Sequence, residues 1–320
     1  MKPLGDVPLA AIEAARARLA PVVVRTPLLR LEIDAPADVY LKLENLQPIG
    51  SFKVRGAGNA MLLAPPDRLK RGVCTASAGN MAQGVAWHAR RLGVPATAIV
   101  PDSAPRTKLE ALERLGARAV RVPFETWWNV ITDHHYPGMD GLFIHPVADA
   151  NVIAGHGTIG LEILEDLPDV DSVVVPFGGG GLSSGIACAI RARAPAVRVF
   201  ACEVETAAPF AASLAAGSPQ AIAHTPSFVD GIGGRSMLPE MWPLAKRVLA
   251  GSVVVSLRQV ADALRLLVER GRVIAEGAGA ASVAAALTGR AGSGKVVCVV
   301  SGGNIDAVKL AAILTGEIPR

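Results

Sequence analysis

Residues 171–181 read DSVVVPFGGGG, and this run narrows the possible folds more than any other stretch. From Val173 to Phe177 there is no polar side chain, so a strand here is apolar on both faces. Such a strand belongs in the middle of a parallel sheet with helices covering both sides. Parallel neighbours cannot be joined by hairpins and need crossovers, usually helical. The rest of the chain supplies them, and the alternation of strands and helices predicts an α/β fold. Aromatic residues are only 4% of the 320, so the layers must pack on Ala, Val, Leu and Ile.

Local punctuation sets the expected elements. Helical spacing covers 8–19, and 22–29 is extended around Pro27. A strand over 39–43 enters a turn with Asn45, Pro48 and Gly50, and a helix runs from Lys53 to Leu63, stopped by Pro65-Pro66. Two β-loop-α-β units follow: strand 72–76, loop Ser77–Asn80, helix 81–93 and strand 96–101, then helix 104–116 and strand 117–122. The aromatic segment 125–141 shows no regular pattern, and 141–146 reads as a strand. Near 146 the chain leaves this unit. Helix 151–167 precedes the apolar strand 171–177, and a helix starts at Leu182. Strands 197–205, 252–257 and 295–300 then alternate with helices near 207–217, 259–270 and 276–289 and at the C-terminus, with a loop over 224–240.

Composition excludes several classes. The formal net charge is +4 with no Lys/Arg-rich run, so nucleic acid is not an expected partner. No run of eighteen uncharged apolar residues is free of breakers, so no membrane span is expected. The first twenty residues carry acids and arginines and do not form a signal peptide. Cys74, Cys188, Cys202 and Cys298 form no Cys-x-x-Cys pair, which predicts buried reduced thiols in a cytoplasmic protein.

The candidate chemistry falls at strand ends. Gly178–Gly181 follow a buried strand and precede a helix, a context for binding phosphate on free backbone N–H groups. Ser183 and Ser184 stand where a dinucleotide fingerprint needs glycine, and GRAGSGKV (289–296) precedes a strand and lacks the P-loop Ser/Thr, so it reads as a surface turn. Lys53 sits just inside a helix N-terminus beside Phe52, where the helix dipole disfavours the protonated amine, as a Schiff-base lysine requires. Ser77–Asn80 opens a helix and could hold a carboxylate; Ser301 ends a buried strand. Asn45, Lys53, Ser77, Gly178 and Ser301 are thus expected to share one cleft. His134-His135 and the other histidines show no metal spacing, with His88 and His156 read as structural, and Glu203 and Glu205 read as a solvated strand end.

In order, SFKVRGAGNAM, TASAGNMAQGVA, VIAGHGTIGLEIL, VVPFGGGGLSSGIA and VVSGGNID closely resemble the threonine/serine dehydratases and serine racemases, pyridoxal-phosphate enzymes of the tryptophan-synthase-β fold type. The resemblance spans roughly residues 20–306. It implies two open, twisted, mainly parallel-sheet domains with the cofactor in the cleft between them: a large cofactor-binding domain (1–70 with 147–320) and a small substrate-binding domain (71–146). It also implies pyridoxal 5′-phosphate bound covalently to Lys53, Phe52 against its ring, Asn80 on its 3′-oxygen, Gly178, Gly179, Gly180 and Gly181 on its phosphate, and Ser301 at its pyridine nitrogen. Ser77, Ala78, Gly79 and Asn80 take the substrate carboxylate in the same reading. A serine at that nitrogen does not keep it protonated, which favours β-elimination over a long-lived carbanion.

The expected reaction is dehydration of an L-threonine- or L-serine-type amino acid to a 2-oxo acid and ammonia by a homodimer. Ala78 stands where the racemases carry a second acid/base serine, and Met81 replaces the usual histidine. At the family's cation site Glu203 and Ala207 match two positions but Pro209 the third, so a complete cation site does not carry over. Segment 125–141 could reshape the pocket for a bulkier aryl-serine substrate, and racemisation or β-replacement are further alternatives on the same fold. A non-catalytic phosphate-ligand binding protein is the alternative of another class. No regulatory domain is expected after residue 320, so feedback control of the biosynthetic type is not expected.

Overall fold

Every predicted crossover strand finds a parallel partner. The computed structural model describes residues 3–319. The strands are β1 (Leu28–Arg30), β2 (Asp38–Lys42), β3 (Val73–Ala76), β4 (Ala96–Pro101), β5 (Arg118–Val122), β6 (Leu142–Phe143), β7 (Ser172–Pro176), β8 (Arg198–Val204), β9 (Gly251–Val255) and β10 (Lys295–Val299). The helices are α1 (Leu9–Leu19), α2 (Lys53–Leu63), α3 (Pro66–Lys70), α4 (Asn80–Leu92), α5 (Arg106–Arg114), α6 (Phe124–Asp133), α7 (Ala150–Asp166), α8 (Gly181–Arg193), α9 (Pro209–Ala216), α10 (Trp242–Val248), α11 (Leu257–Leu266), α12 (Gly277–Leu287) and α13 (Ala307–Leu314).

Two sheets result. One has six strands in the order β1-β2-β10-β7-β8-β9, antiparallel only at β1–β2. The other has four strands in the order β5-β4-β3-β6, all parallel. The apolar strand β7 lies inside the larger sheet, between β10 and β8. Its side chains alternate: Val173 and Val175 join one core layer with α1, α7, α8 and α10, while Val174 joins the opposite layer with α11, α12 and α13.

Helix α7 is wedged between α2 and α8, and its glycines make that possible. A Cβ on Gly155 would lie 2.5 Å from the Arg55 carbonyl oxygen, and one on Gly160 2.9 Å from that of Ile186. This packing seats α2, and hence Lys53, against the larger sheet. Arg55 lies underneath, 1% exposed. It bonds Glu44 through Nε and Nη2 (2.8 Å each) and Glu162 through Nη1 and Nη2 (2.6 and 2.9 Å). Lys42 Nζ reaches Glu162 at 2.7 Å and donates to the Thr26 carbonyl at 2.6 Å.

Three local expectations are corrected. Segment 125–141 is irregular only from 134 onward: residues 125–133 belong to α6, because burial of Val130 and Ile131 against β3, β4 and β5, with Trp128 partly buried, overrides the poor helix propensity of aromatic and β-branched residues. The strand over 141–146 shrinks to β6, since the His145 ring captures the next two backbone N–H groups and turns the chain. Glu203 is not solvated. Fully buried, it accepts from the Phe210 and Ala211 backbone N–H groups at 2.8 Å each and from Ser252 Oγ at 2.6 Å, capping α9. Its carboxyl is pushed up by burial, and its oxygens are spent on that cap. The four cysteines are free and buried. No described helix is long and apolar enough to cross a membrane.

Candidate active site

Lys53 is the first residue of α2. The local turn places it there: Phe52 N–H donates to the Ser301 carbonyl at 3.0 Å, and Ser51 bridges Gly302, tying the start of α2 to the end of β10. Its Nζ donates to the Pro146 carbonyl at 2.7 Å and lies 5.2 Å from the Phe52 ring centroid. Burial lowers its pKa to about 8, with Glu276 pulling the other way. Burial in the cleft thus adds a cause that the sequence does not show. Phe52 itself stands edge-on to His156, centroids 4.7 Å apart.

The glycine loop faces the same space. Gly180 adopts φ +91°, and α8 starts at Gly181 with no side-chain cap. The loop has no room for side chains. A Cβ on Gly179 would lie 2.6 Å from Val147 Cγ2, and one on Gly180 2.9 Å from the Phe177 ring. On the far side, Gly178 approaches the Gly231 carbonyl of the 224–240 loop.

From the smaller sheet, β3 ends at the Ser77–Gly79 loop and α4 begins at Asn80. Ser77 Oγ already accepts the Gly79 N–H at 3.2 Å, which leaves the first-turn N–H groups of α4 for an anion. Ala78 is partly buried, and Met81 is packed into the core of this unit. Asn80 Nδ2 donates to Glu276 Oε1 at 2.9 Å, and Asn80 Oδ1 accepts from Asn304 Nδ2 at 2.8 Å. Ser301 is buried just beyond β10, and Asn45 nearby donates to the Ile274 carbonyl at 3.1 Å.

Sequence reasoning misses Glu276. Its backbone N–H donates to the Gly302 carbonyl at 2.9 Å, and a Cβ on Gly302 would lie 2.6 Å from its Oε1. The carboxyl is thus boxed in beside Ser301 and Asn80, and burial raises its pKa to about 7. The one available signal is a lone acid heading an otherwise uncharged Ala/Gly helix. The histidines also differ from the sequence reading. His134 ends α6 with φ +55°, and its ring, that of His145 and the Glu240 carboxylate offer ligand atoms within 4.8 Å of one another. Both His145 nitrogens are committed to the backbone, however, so this cluster does not form a three-ligand metal centre.

The donor set fits pyridoxal 5′-phosphate: an amine of lowered pKa, a glycine cradle that a Cβ would fill at an uncapped helix start, and neutral polar groups at Asn80 and Ser301. Comparison with known proteins agrees. A family model described as "Pyridoxal-phosphate dependent enzyme" matches residues 19–302. An L-threonine ammonia-lyase of Thermotoga maritima is 42% identical over 92% of this chain and 75% of its own length. A catabolic L-threonine dehydratase of Staphylococcus aureus is 34% identical over 96% of this chain and 92% of its own. The structure of maize serine racemase superposes with a TM-score of 0.90 at 32% identity, covering 97% of this chain and 98% of that one. Sheet order, lysine position and glycine cradle thus converge with sequence similarity over most of the chain, which belongs to the pyridoxal-phosphate-dependent enzyme family.

Proposed function

We propose that the chain is an ammonia-lyase that dehydrates a β-hydroxy amino acid of the L-threonine or L-serine type to a 2-oxo acid and ammonia. The observation that carries this is the meeting of Lys53, the glycine loop and Ser301 in one cleft with a helix N-terminus opposite. In this reading residues 71–146 form the substrate-binding unit, the remainder forms the cofactor-binding unit, and the enzyme works as a cytoplasmic homodimer.

Lys53 would hold the cofactor covalently, Gly178–Gly181 its phosphate, Asn80 its 3′-oxygen and Ser301 its ring nitrogen, with Phe52 beside the ring. Pyridoxal 5′-phosphate, when bound, supplies an electron-withdrawing ring for the charge left at the substrate Cα. The first turn of α4 receives the α-carboxylate on free N–H groups, helped by the positive helix end. Lys53 Nζ, released and neutral, accepts the Cα proton. The β-hydroxyl departs with a proton as water, and the freed enamine adds water to give the 2-oxo acid and ammonia. Ala78 offers no titratable group for the return of a proton to the other face, which favours elimination over racemisation.

Purified enzyme with cofactor should release equal amounts of 2-oxo acid and ammonia from L-threonine or L-serine, faster than from aryl-serines; racemised substrate without ammonia would refute the assignment. A second expected result concerns the lysine alone, since a neutral amine is needed to capture the cofactor. The capture rate of the cofactor-free chain, followed by absorbance, should rise about tenfold per pH unit up to about 8 and then level off. A rise continuing to pH 10 would show that Lys53 is an ordinary lysine.

A further inference from the structure

We propose that His145 is a positioning residue for Lys53. Its imidazole fixes the turn Pro146–Val147–Ala148, which holds the lysine amine on one side and closes the glycine loop on the other. The inference rests on the role proposed above for Lys53.

His145 is 2% exposed. Its Nδ1 accepts two backbone N–H groups, from Val147 at 3.0 Å and Ala148 at 2.5 Å. A nitrogen that accepts twice cannot carry the ring proton, so the proton is on Nε2, which faces the Ile131 carbonyl at 3.2 Å. Burial holds the pKa down at about 3, so the ring stays neutral and its tautomer fixed at working pH.

The turn so fixed has two functional ends. The Pro146 carbonyl, one residue from the imidazole, receives Lys53 Nζ at 2.7 Å. The Val147 side chain occupies the space that a Cβ on Gly179 would need, and a Cβ on Gly181 would lie 3.1 Å from the Val147 carbonyl oxygen. One ring therefore sets both the amine and the wall of the glycine cradle. Behind it, the His134 ring lies 4.2 Å away, centroid to centroid, and His134 Nε2 is 3.6 Å from Glu240 Oε1. Glu240 is 3% exposed, and among the described residues neither of its oxygens has a hydrogen-bond partner. This pair backs the imidazole from α6 and from the loop before α10. The aromatic segment thus contributes the His134 ring that packs on His145.

Two isosteric variants separate the two ring nitrogens. In His145→Asn the side-chain oxygen falls near Nδ1 and can still accept the turn N–H groups. In His145→Gln the amide reaches the Ile131 carbonyl and leaves the turn unheld. Three properties of the full chain are measured: kcat with the best β-hydroxy amino acid, the melting temperature, and the pH midpoint of Lys53 acetylation in cofactor-free protein, with exposed Lys70 as internal reference. The Gln variant is expected to lose at least tenfold in kcat and to shift the Lys53 midpoint by at least half a pH unit, while the Asn variant stays within threefold and shifts less. If Gln matches wild type in both, or Asn fails as Gln does, the proposal is overturned. If wild type shows no ammonia release at all, the functional reading fails, and the acetylation midpoints still decide the positioning role.

Discussion

Replacing Lys53 with alanine abolishes ammonia release: kcat falls by about 10⁴-fold or more, because the variant loses both the covalent anchor and the base for the Cα proton. The fold should survive. Lys53 occupies the first position of α2, where a lost side chain breaks one hydrogen bond, to the Pro146 carbonyl, and removes a partly buried amine rather than a core group. Melting within a few degrees of wild type, together with a loss of cofactor absorbance, is the expected pair of observations. Added amines of small size should restore part of the rate if proton transfer is the missing element.

Replacing Arg55 with alanine has the largest expected effect on stability, a loss of about 3–5 kcal/mol, because it takes from the buried Glu44 carboxylate its guanidinium partner and leaves Glu162 with Lys42 alone. Against the effect of burial, the Arg55 guanidinium holds the Glu44 carboxyl below the usual carboxylate range. A depressed carboxylate pKa stabilises the fold above the ordinary value for the group, and that contribution is lost as pH falls through the folded-state value. Wild type should therefore lose stability steeply in acid, and the variant should lose less. Arg55→Met combined with Glu44→Gln should cost less than the sum of the two single changes, since the second removes the charge that the first leaves unpaired. Urea titrations of wild type, Arg55→Ala, Arg55→Met, Glu44→Gln and the double variant at pH 7 and pH 4 measure both effects. Equal losses at the two pH values would show that the network is not what holds α2 in place.

The parts of the molecule that were legible in the sequence are those set by near neighbours. Helix α2 runs from Lys53 to Leu63, bounded by the Pro48–Gly50 turn and Pro65-Pro66 as the spacing predicts. The apolar strand leading into four glycines foretold its central place in the sheet and the helix that starts straight after them. What was missed depends on distant partners. Glu276 meets Asn80 from 196 positions away, and Arg55 meets Glu162 from 107. No local pattern distinguishes Arg55 from a solvated charge, and the lone acid ahead of an uncharged Ala/Gly helix does not name the partner of Glu276. Segment 125–141 misled for the same reason: its propensities oppose a helix, and only burial of Val130 and Ile131, with Trp128 partly buried, makes one. The depressed Lys53 pKa is expected from the helix dipole, and the fold adds burial in a cleft that only the assembled chain provides.

The central claim is that this cleft holds pyridoxal 5′-phosphate on Lys53. Borohydride reduction of the purified holoenzyme, followed by proteolysis and peptide mass spectrometry, tests it directly. The account predicts one pyridoxyl-phosphate adduct per chain, on the peptide containing Ser51-Phe52-Lys53, with activity lost in step with its formation. An adduct on another lysine, or full ammonia-lyase activity in protein whose Lys53 peptide stays unmodified, would contradict it.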